Sequence, residues 1–214
     1  MTQFHQWYNE LLAERTIKAL KKNNFEARFF PKASEAMAEL WKMIPEGASV
    51  GMGGSLTLGQ LNFADEAQKR PVKLLNPFAK GLSAEESGKI RREIFTADFF
   101  IGSSNAVTED GKLFNIDATG NRVGPMIFGP KKVILICGAN KIVKDMTEAY
   151  RRVQEWVAPM NVKRLGYNKP PCSQTGQCSD CSSPERICNA YVTLAKKPRL
   201  TDYMIFIVGE TLGF

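Results

Sequence analysis

The chain has 214 residues, of which 43% are hydrophobic, and it carries a formal net charge of +7. This length predicts one domain or slightly more, with enough apolar residues for a core that needs no disulfides. No stretch approaches the roughly 18 apolar residues of a membrane span, and the N-terminus lacks the apolar segment of a signal peptide. We therefore expect a cytoplasmic protein without a membrane span.

The basic residues are spread along the chain, in pairs such as Lys21 with Lys22 and Lys131 with Lys132. They form no stripe interleaved with aromatic residues, whereas nucleic-acid-binding surfaces concentrate such residues on one face. The charge pattern therefore favours a solvated surface and argues against a nucleic-acid partner.

The chain begins with a predicted helix at residues 4–22, followed by alternating strands and helices. Apolar spacing places five side chains on one face of that helix, namely Phe4, Trp7, Tyr8, Leu11 and Leu12. Residues 25–30, 48–52 and 72–76 have the short apolar pattern of strands.

Two further helices have start and stop signals in this half of the chain. Ser34 is expected to cap a helix that runs to about Ile44, where Pro45 stops it. Ser83 and Glu86 have the spacing of a capping box, which predicts a helix to about residue 96.

The second half contains two continuous apolar runs, ADFFIG and KKVILIC, which are typical of strands covered on both faces of a parallel sheet. Between them, Asp110 and Gly111 predict the turn of a hairpin. A helix at about 143–157 and a last strand at 203–208 complete the chain. The alternation predicts an α/β fold with a mostly parallel sheet flanked by helices, in which ligands bind outside the carboxyl ends of the strands.

A glycine-rich turn, VGMGGSLTLGQ, follows the strand at 48–52. Gly53 and Gly54 let a backbone approach an anion closely, and Ser55 and Thr57 add hydroxyl donors at the start of a helix. The segment predicts a cradle for phosphate or carboxylate. A tight turn that needs glycine for steric reasons alone is the alternative.

A second polar segment, NIDATGNRVGPMIFGP, follows the hairpin. Asp117 is a candidate general base, Asn121 a candidate donor to a carbonyl oxygen, and Arg122 a candidate bidentate partner for an acid or phosphate. In the alternative interpretation Asp117 forms a turn and Arg122 is its local ion-pair partner. Lys141 follows the strand KKVILIC and points either into the same cleft or to the surface.

Four cysteines, Cys172, Cys178, Cys181 and Cys188, lie within seventeen residues near the end of the chain. In a reducing compartment such thiols ligate metal more often than they form structural disulfides. The spacing has one CxxC pair and no nearby histidine, which favours a 4Fe–4S cluster, with an all-thiolate zinc site as the alternative. Free or redox-paired thiols remain the third interpretation.

Three segments together carry a resemblance to a known family: GGSLTL, NIDATGNRVGPMIFGPKKVILICGANKIV and PCSQTGQCSDCSSPERIC. The chain resembles the LUD-domain, or lactate utilization protein, family. The resemblance implies a fold similar to the superfamily of ribose-5-phosphate isomerase (RpiA), glucosamine-6-phosphate deaminase (NagB) and the CoA transferases. The resemblance spans roughly residues 10–214. We expect an N-terminal helix at 1–24, followed by one domain of this type at 25–214 that includes the cysteine-rich loop at 171–189.

In folds of that superfamily the glycine and hydroxyl loop binds an anion and a segment like Ala118–Val123 forms the opposite wall. The resemblance thus implies that Ser55 and Arg122 face one cleft. Members of the family are linked to the oxidation of lactate to pyruvate in multi-component systems, often beside iron–sulfur partners. The resemblance does not establish whether the isolated domain is an enzyme.

Two functional hypotheses follow. In the first, the chain is an enzyme or enzyme subunit that acts on a small anionic metabolite in the cleft, such as a hydroxy acid, a sugar phosphate or a CoA thioester. In the second, it is a non-catalytic redox or assembly subunit whose cysteine loop holds the cluster and meets a redox or iron–sulfur partner protein. Either hypothesis is compatible with an oligomer.

Overall fold

The structure is a computed structural model that describes residues 2–214. The strands are β1 (Glu26–Phe30), β2 (Ser49–Met52), β3 (Lys73–Leu75), β4 (Phe99–Gly102), β5 (Ala106–Thr108), β6 (Leu113–Asp117), β7 (Lys132–Gly138), β8 (Ile142–Val143), β9 (Ala190–Leu194) and β10 (Asp202–Val208). The helices are α1 (Gln3–Lys22), α2 (Ala33–Met43), α3 (Leu56–Gln60), α4 (Phe63–Gln68), α5 (Ala84–Glu93), α6 (Val123–Ile127), α7 (Met146–Arg152), α8 (Ala158–Arg164) and α9 (Cys172–Thr175). Within the described residues, no helix is both long and apolar enough to cross a membrane.

Six strands form the central sheet, in the order β1-β10-β7-β4-β2-β3. Every neighbouring pair in it is parallel. Both faces are covered because side chains alternate along each strand: on β10, Tyr203 and Ile205 enter one apolar cluster, while Met204 and Phe206 enter the other. The predicted α/β fold with a mostly parallel sheet is confirmed.

Helices cover the two faces of this sheet. Helix α1 packs on one face through Ala13 and Leu20, both fully buried. Helix α2 packs on the other through Ala36 and Leu40. The buried apolar surface on both faces fixes the sheet and therefore the positions of the loops at its carboxyl edge.

A second sheet of four strands has the order β8-β5-β6-β9. Strands β5 and β6 form the predicted hairpin, and Gly111 lies at its turn with a φ of +82°. Strands β8 and β9 were not predicted, because β8 has only two residues and β9 follows directly on the cysteine-rich loop. Side chains on this sheet, including Phe114, pack against Ala149 of α7 in a third apolar cluster.

The two predicted helix caps have different outcomes. Ser83 accepts a hydrogen bond from the backbone N–H of Glu86, and the Glu86 carboxylate accepts one from the backbone N–H of Ser83, which confirms the capping box. The predicted cap at Ser34 is wrong, because α2 begins at Ala33 and Ser34 lies inside it. The Glu210 carboxylate, after β10, accepts from the Ala33 N–H at 2.8 Å instead.

The helix predicted at 143–157 begins later and continues further. Asp145 caps α7 by accepting from the backbone N–H of Glu148. The helix then passes through a π-helical turn at Val153–Val157 into α8. Pro159, at the start of α8, has no N–H to give to an earlier carbonyl, and the backbone widens just before it.

The first turns of α1 present a different face to the core from the one that apolar spacing indicated. Of the five side chains on the predicted face only Leu12 is buried, and Phe4, Trp7 and Tyr8 are exposed. Thr16 and Leu20 continue the buried stripe towards the end of the helix.

Candidate functional site

A cleft of about 420 Å³ opens at the carboxyl edge of the central sheet. Its floor is formed by the segments that leave β2, β4 and β7, which are neighbours in the sheet and reach the cleft through Thr57, Ser103 and Lys141. Its opposite wall comes from the end of β6 in the second sheet, at Asp117, and the loop that follows. The cleft therefore lies where parallel α/β sheets bind ligands.

The glycine-rich turn contributes Gly54, Ser55 and Thr57 to the lining of this cleft. Ser55 caps the short helix α3 by accepting from the N–H of Leu58. Gly53 lies beneath the lining, where a Cβ would come within 3.0 Å of Cγ of Arg122. The two polar segments singled out in the sequence therefore meet, and glycine at position 53 permits their close approach.

The carboxylate of Asp117 accepts four backbone hydrogen bonds. Oδ1 accepts from the N–H groups of Thr119 and Gly120, each at 2.9 Å. Oδ2 accepts from the N–H groups of Arg122 and Val123, at 3.0 and 3.1 Å. This geometry supports the turn-forming interpretation of Asp117, since the carboxylate holds residues 117–123 against the end of β6.

The guanidinium of Arg122 is tied to the ends of β4 and β6. Nη1 donates to the carbonyl of Ser103 at 3.0 Å and to Oδ1 of Asn115 at 2.8 Å. Nη2 donates to Oδ1 of Asn105 and to the carbonyl of Ile116, each at 2.7 Å. These bonds use the four N–H donors of the two terminal nitrogens, so Arg122 joins the walls of the cleft and places a positive charge beside it.

Lys141 is the most deeply buried charge in the lining, with 5% of the residue exposed. Its Nζ donates to Oγ1 of Thr57 at 2.9 Å and to Oγ of Ser103 at 2.8 Å. Among the described residues no carboxylate pairs with it. Burial lowers the pKa of Lys141 to about 8, with Cys137 opposing the change and the cations Arg152 and Arg122 adding to it.

The last glycine of the chain leaves room above this ammonium group. A Cβ at Gly213 would lie 3.1 Å from Nζ of Lys141 and 2.6 Å from Oγ1 of Thr57, and the φ of +66° also favours glycine. The surface interpretation of Lys141 is therefore excluded by its burial, and its side chain lies in the floor of the cleft.

The lining as a whole is cationic. Arg91, Arg122, Lys141 and Arg164 contribute to it, whereas Asp117 is the one carboxylate side chain among the described lining residues. The charge of that carboxylate acts on Arg122, so one negative charge stands against four cations and the lining keeps a positive excess. The arrangement is suited to an anionic ligand.

Several lining residues were not singled out from the sequence. Ser103, Ser104 and Asn105 follow β4, and polar residues after a predicted parallel strand were the signal that could have found them. Arg91 and Arg164 reach the cleft from α5 and α8, and no local pattern distinguishes them from other helix-surface arginines. Asn121 does line the cleft, with its Oδ1 accepting from the Thr119 hydroxyl at 2.5 Å.

The four cysteines of the C-terminal loop lie on a separate, smaller pocket. Cys172, Cys178, Cys181 and Cys188 all line it, and none forms a disulfide. Burial raises the pKa of Cys172, and the nearby thiols of Cys181 and Cys178 raise it further. The fifth cysteine, Cys137, is buried in the core, as the sequence predicted.

Arg186 holds the cysteine loop in shape. Its guanidinium donates to the carbonyl groups of Cys181 and Cys188 and to the carboxylate of Asp180.

In residues 2–214, no group of three or more His, Cys, Asp or Glu side chains is arranged to hold a metal ion. Ile187 lines both this pocket and the cationic cleft, so the two cavities share a wall.

The fold and the cleft together define an α/β protein with a parallel central sheet and a cationic cleft at its carboxyl edge. The sequence model of the LUD domain matches residues 13–208, and the chain therefore belongs to the LUD-domain family. Membership connects it in general terms with lactate utilization, as the sequence resemblance implied.

A solved structure, that of a DUF162 family protein from Deinococcus radiodurans, shares the fold. The two superpose with a TM-score of 0.54 over 94% of this chain and 98% of that chain, at 13% sequence identity. No curated protein matches the chain.

Proposed function

We propose that this LUD-domain protein binds a small hydroxy-acid anion of the lactate class in the cationic cleft. The observation that carries the proposal is the Lys141 ammonium, which is buried, lies in the cleft floor and has hydroxyl groups as its hydrogen-bond partners. A buried charge is stable only when it is paired, and a ligand carboxylate would supply the missing partner.

Neighbouring groups complete a site for such a carboxylate. Thr57 accepts from the ammonium, so its own hydroxyl proton is free to be donated to a ligand oxygen. The amide of Asn121, which lines the opposite wall, would bind the hydroxyl or carbonyl group of the ligand. In this proposal Asp117 and Arg122 position the wall, since their own donors and acceptors are engaged by protein groups.

The proposal is tested by calorimetric titration of the protein with L-lactate and D-glycerate. We expect binding that Lys141→Met abolishes, because methionine fills the same space without the charge. Lys144→Met is the matched control, since Lys144 is exposed and lies outside the cleft lining. Unchanged affinity in Lys141→Met, or equal losses in the two variants, would contradict the proposal.

A thiolate-bound metal centre in the cysteine pocket is a second candidate function. It is supported by four free thiols that line one pocket, the ligand type of a 4Fe–4S cluster or, as the alternative, zinc, and it requires the loop to draw them closer, because no three of them are arranged to hold an ion in the described residues. When bound, a cluster would supply one-electron transfer. The wall shared through Ile187 would place that centre beside the ligand cleft, where a redox partner protein could exchange electrons with it.

Anaerobic purification, a visible absorption spectrum and metal analysis test this candidate. We expect a coloured, iron-containing protein that loses its iron in Cys181→Ala and keeps it in Cys137→Ala, because Cys137 lies in the core. A colourless protein with one zinc per chain would replace the cluster by zinc. A metal-free protein with four titratable surface thiols would contradict both forms of the site.

A further inference from the structure

We infer that the ligand of this cleft carries two anionic groups. Lys141 binds one of them at the floor of the cleft, and Arg91 and Arg164 bind the other at the rim. The inference rests on the proposed function and extends it from a simple hydroxy acid to a larger organic molecule with two oxyanion groups. Four observations carry it: the size of the cleft, the unpaired donors of Arg91, those of Arg164, and the aromatic surface between the floor and the rim.

The cleft is larger than a three-carbon acid requires. Its volume of about 420 Å³ lies within the roughly 300–1,000 Å³ of pockets that hold ligands of drug size. Lys141 and Thr57 are almost fully buried at the floor, whereas Arg164 is exposed and marks the rim. A lactate bound at Lys141 would leave most of the cleft, and its rim cation, without contacts.

Arg91 is held at the cleft with an unused donor. Its guanidinium lies over the ring of Phe78, with 5.6 Å between Cζ and the ring centroid. Its Nε is buried and has no hydrogen-bond partner. Protein atoms cover this Nε, so a ligand in the cleft would meet the terminal nitrogens of the guanidinium, for which no protein acceptor is found among the described residues.

Phe78 connects this arginine with the floor of the cleft. A Cβ at Gly54 would lie 3.0 Å from Cζ of Phe78, so the ring packs directly against the glycine-rich turn. Phe78 is also partly exposed and lines the cleft. It thus offers an apolar surface, between the floor and Arg91, for the body of an organic ligand.

Arg164 is oriented but not saturated. Its Nε and Nη2 donate to Oδ1 of Asn161, at 3.0 and 2.7 Å, and both residues line the cleft. Within the described residues no protein group pairs with its Nη1. The two arginines therefore keep donors of the geometry that recognises a carboxylate or phosphate.

The test compares D-glycerate with 3-phospho-D-glycerate, which differ by one phosphate, in calorimetric titrations at constant ionic strength. We expect the phosphorylated acid to bind at least about tenfold more tightly, the contribution of one charge-assisted hydrogen bond. D-malate, whose second oxyanion is a carboxylate, distinguishes the two kinds of group: preference for malate would assign a dicarboxylate, and preference for phosphoglycerate a phosphate.

The matched variants are Arg91→Gln and Arg92→Gln, neighbours on α5 of which Arg92 is exposed and lies outside the lining. Both remove one charge, so general attraction to a basic protein falls equally in the two. Arg91→Gln should weaken the binding of 3-phospho-D-glycerate more than that of D-glycerate, so the ratio of the two affinities falls towards one, whereas Arg92→Gln should leave that ratio unchanged. Arg164→Gln, compared with Lys163→Gln on α8, repeats the comparison on the other side of the rim.

The outcomes separate this inference from the proposed function. If glycerate binds in a manner that depends on Lys141, and neither phosphoglycerate nor malate binds more tightly, the inference is overturned and the proposed function stands. Tighter binding that Arg91→Gln and Arg92→Gln reduce equally would also overturn it. If none of the three acids binds, both fail.

Discussion

At the residue scale, Lys141 shows how burial changes the chemistry of a single charge. An exposed lysine titrates near 10.4, whereas burial lowers the pKa of this ammonium to about 8 in the folded protein. Between those two pH values the unfolded chain binds the proton and the folded chain does not. The free energy of unfolding therefore increases with pH across this window, because the cost of burying the charge disappears.

We predict that wild-type protein gains about 2 kcal/mol of stability relative to Lys141→Met between pH 7 and pH 10. Urea unfolding in buffers without carboxylate or phosphate measures the difference, since a bound anion would compensate the charge. Lys144→Met removes an exposed lysine, and its free energy of unfolding should change with pH as that of the wild type does. If the difference in free energy of unfolding between wild type and Lys141→Met does not change with pH, the ammonium is not held at a lowered pKa.

At the element scale, the hairpin of β5 and β6 is positioned by its turn against the end of α1. The side-chain amide of Asn23 donates to the carbonyls of Asp110 and Gly111, at 2.9 and 2.8 Å. A Cβ at Gly111 would lie 2.5 Å from the backbone carbon of Ala19. Because β6 leads directly to Asp117, this contact helps to set one wall of the cleft.

Gly111→Ala should therefore destabilise the fold by about 3 kcal/mol or more, from backbone strain and a clash with α1. Gly47→Ala is the matched control, since Gly47 has a φ of +76° and a Cβ there would meet no atom within 4 Å. We expect it to cost about 1 kcal/mol, the strain alone. Equal losses in urea unfolding would contradict a close contact between the turn and the helix.

At the scale of the whole molecule, the cleft exists because two sheets meet at one edge. The central sheet supplies the floor, and the hairpin sheet supplies the wall that ends at Asp117. The net charge of +7 is dispersed along the sequence, yet the fold brings four cations to this one cavity. Helix α8 contributes to the cleft through Asn161 and to the cysteine pocket through Val162, so the two cavities are parts of one region.

Much of the site could be located from the sequence, but the hydrogen-bond partners of its side chains could not be predicted. Glycines and hydroxyl residues after a buried strand predicted a loop at the carboxyl edge, and Ser55 and Thr57 do lie there. No local pattern indicated that Arg122 uses its terminal donors on protein oxygens. Those partners come from residues up to nineteen positions away, so the hydrogen bonds depend on strand pairing.

The strands and helices show the same contrast between what local sequence predicts and what tertiary packing decides. Short continuous apolar runs predicted the strands of the central sheet, because strands covered on both faces need apolar residues throughout. Ser34 looked like a helix cap, but Glu210, far along the chain, provides the acceptor in the folded protein. Strand β9 became a strand only by pairing with β6, which local preference does not encode.

The sequence by itself determined the α/β class, the family, the glycine and hydroxyl loop and the set of four thiols, since each depends on residue type and local spacing. Only the tertiary structure decided which charges meet in the cleft, that Lys141 is buried without a carboxylate partner, and that Ile187 separates the cleft from the cysteine pocket. The physical reason is that desolvation and charge pairing depend on distances in space, which packing of the two sheets sets.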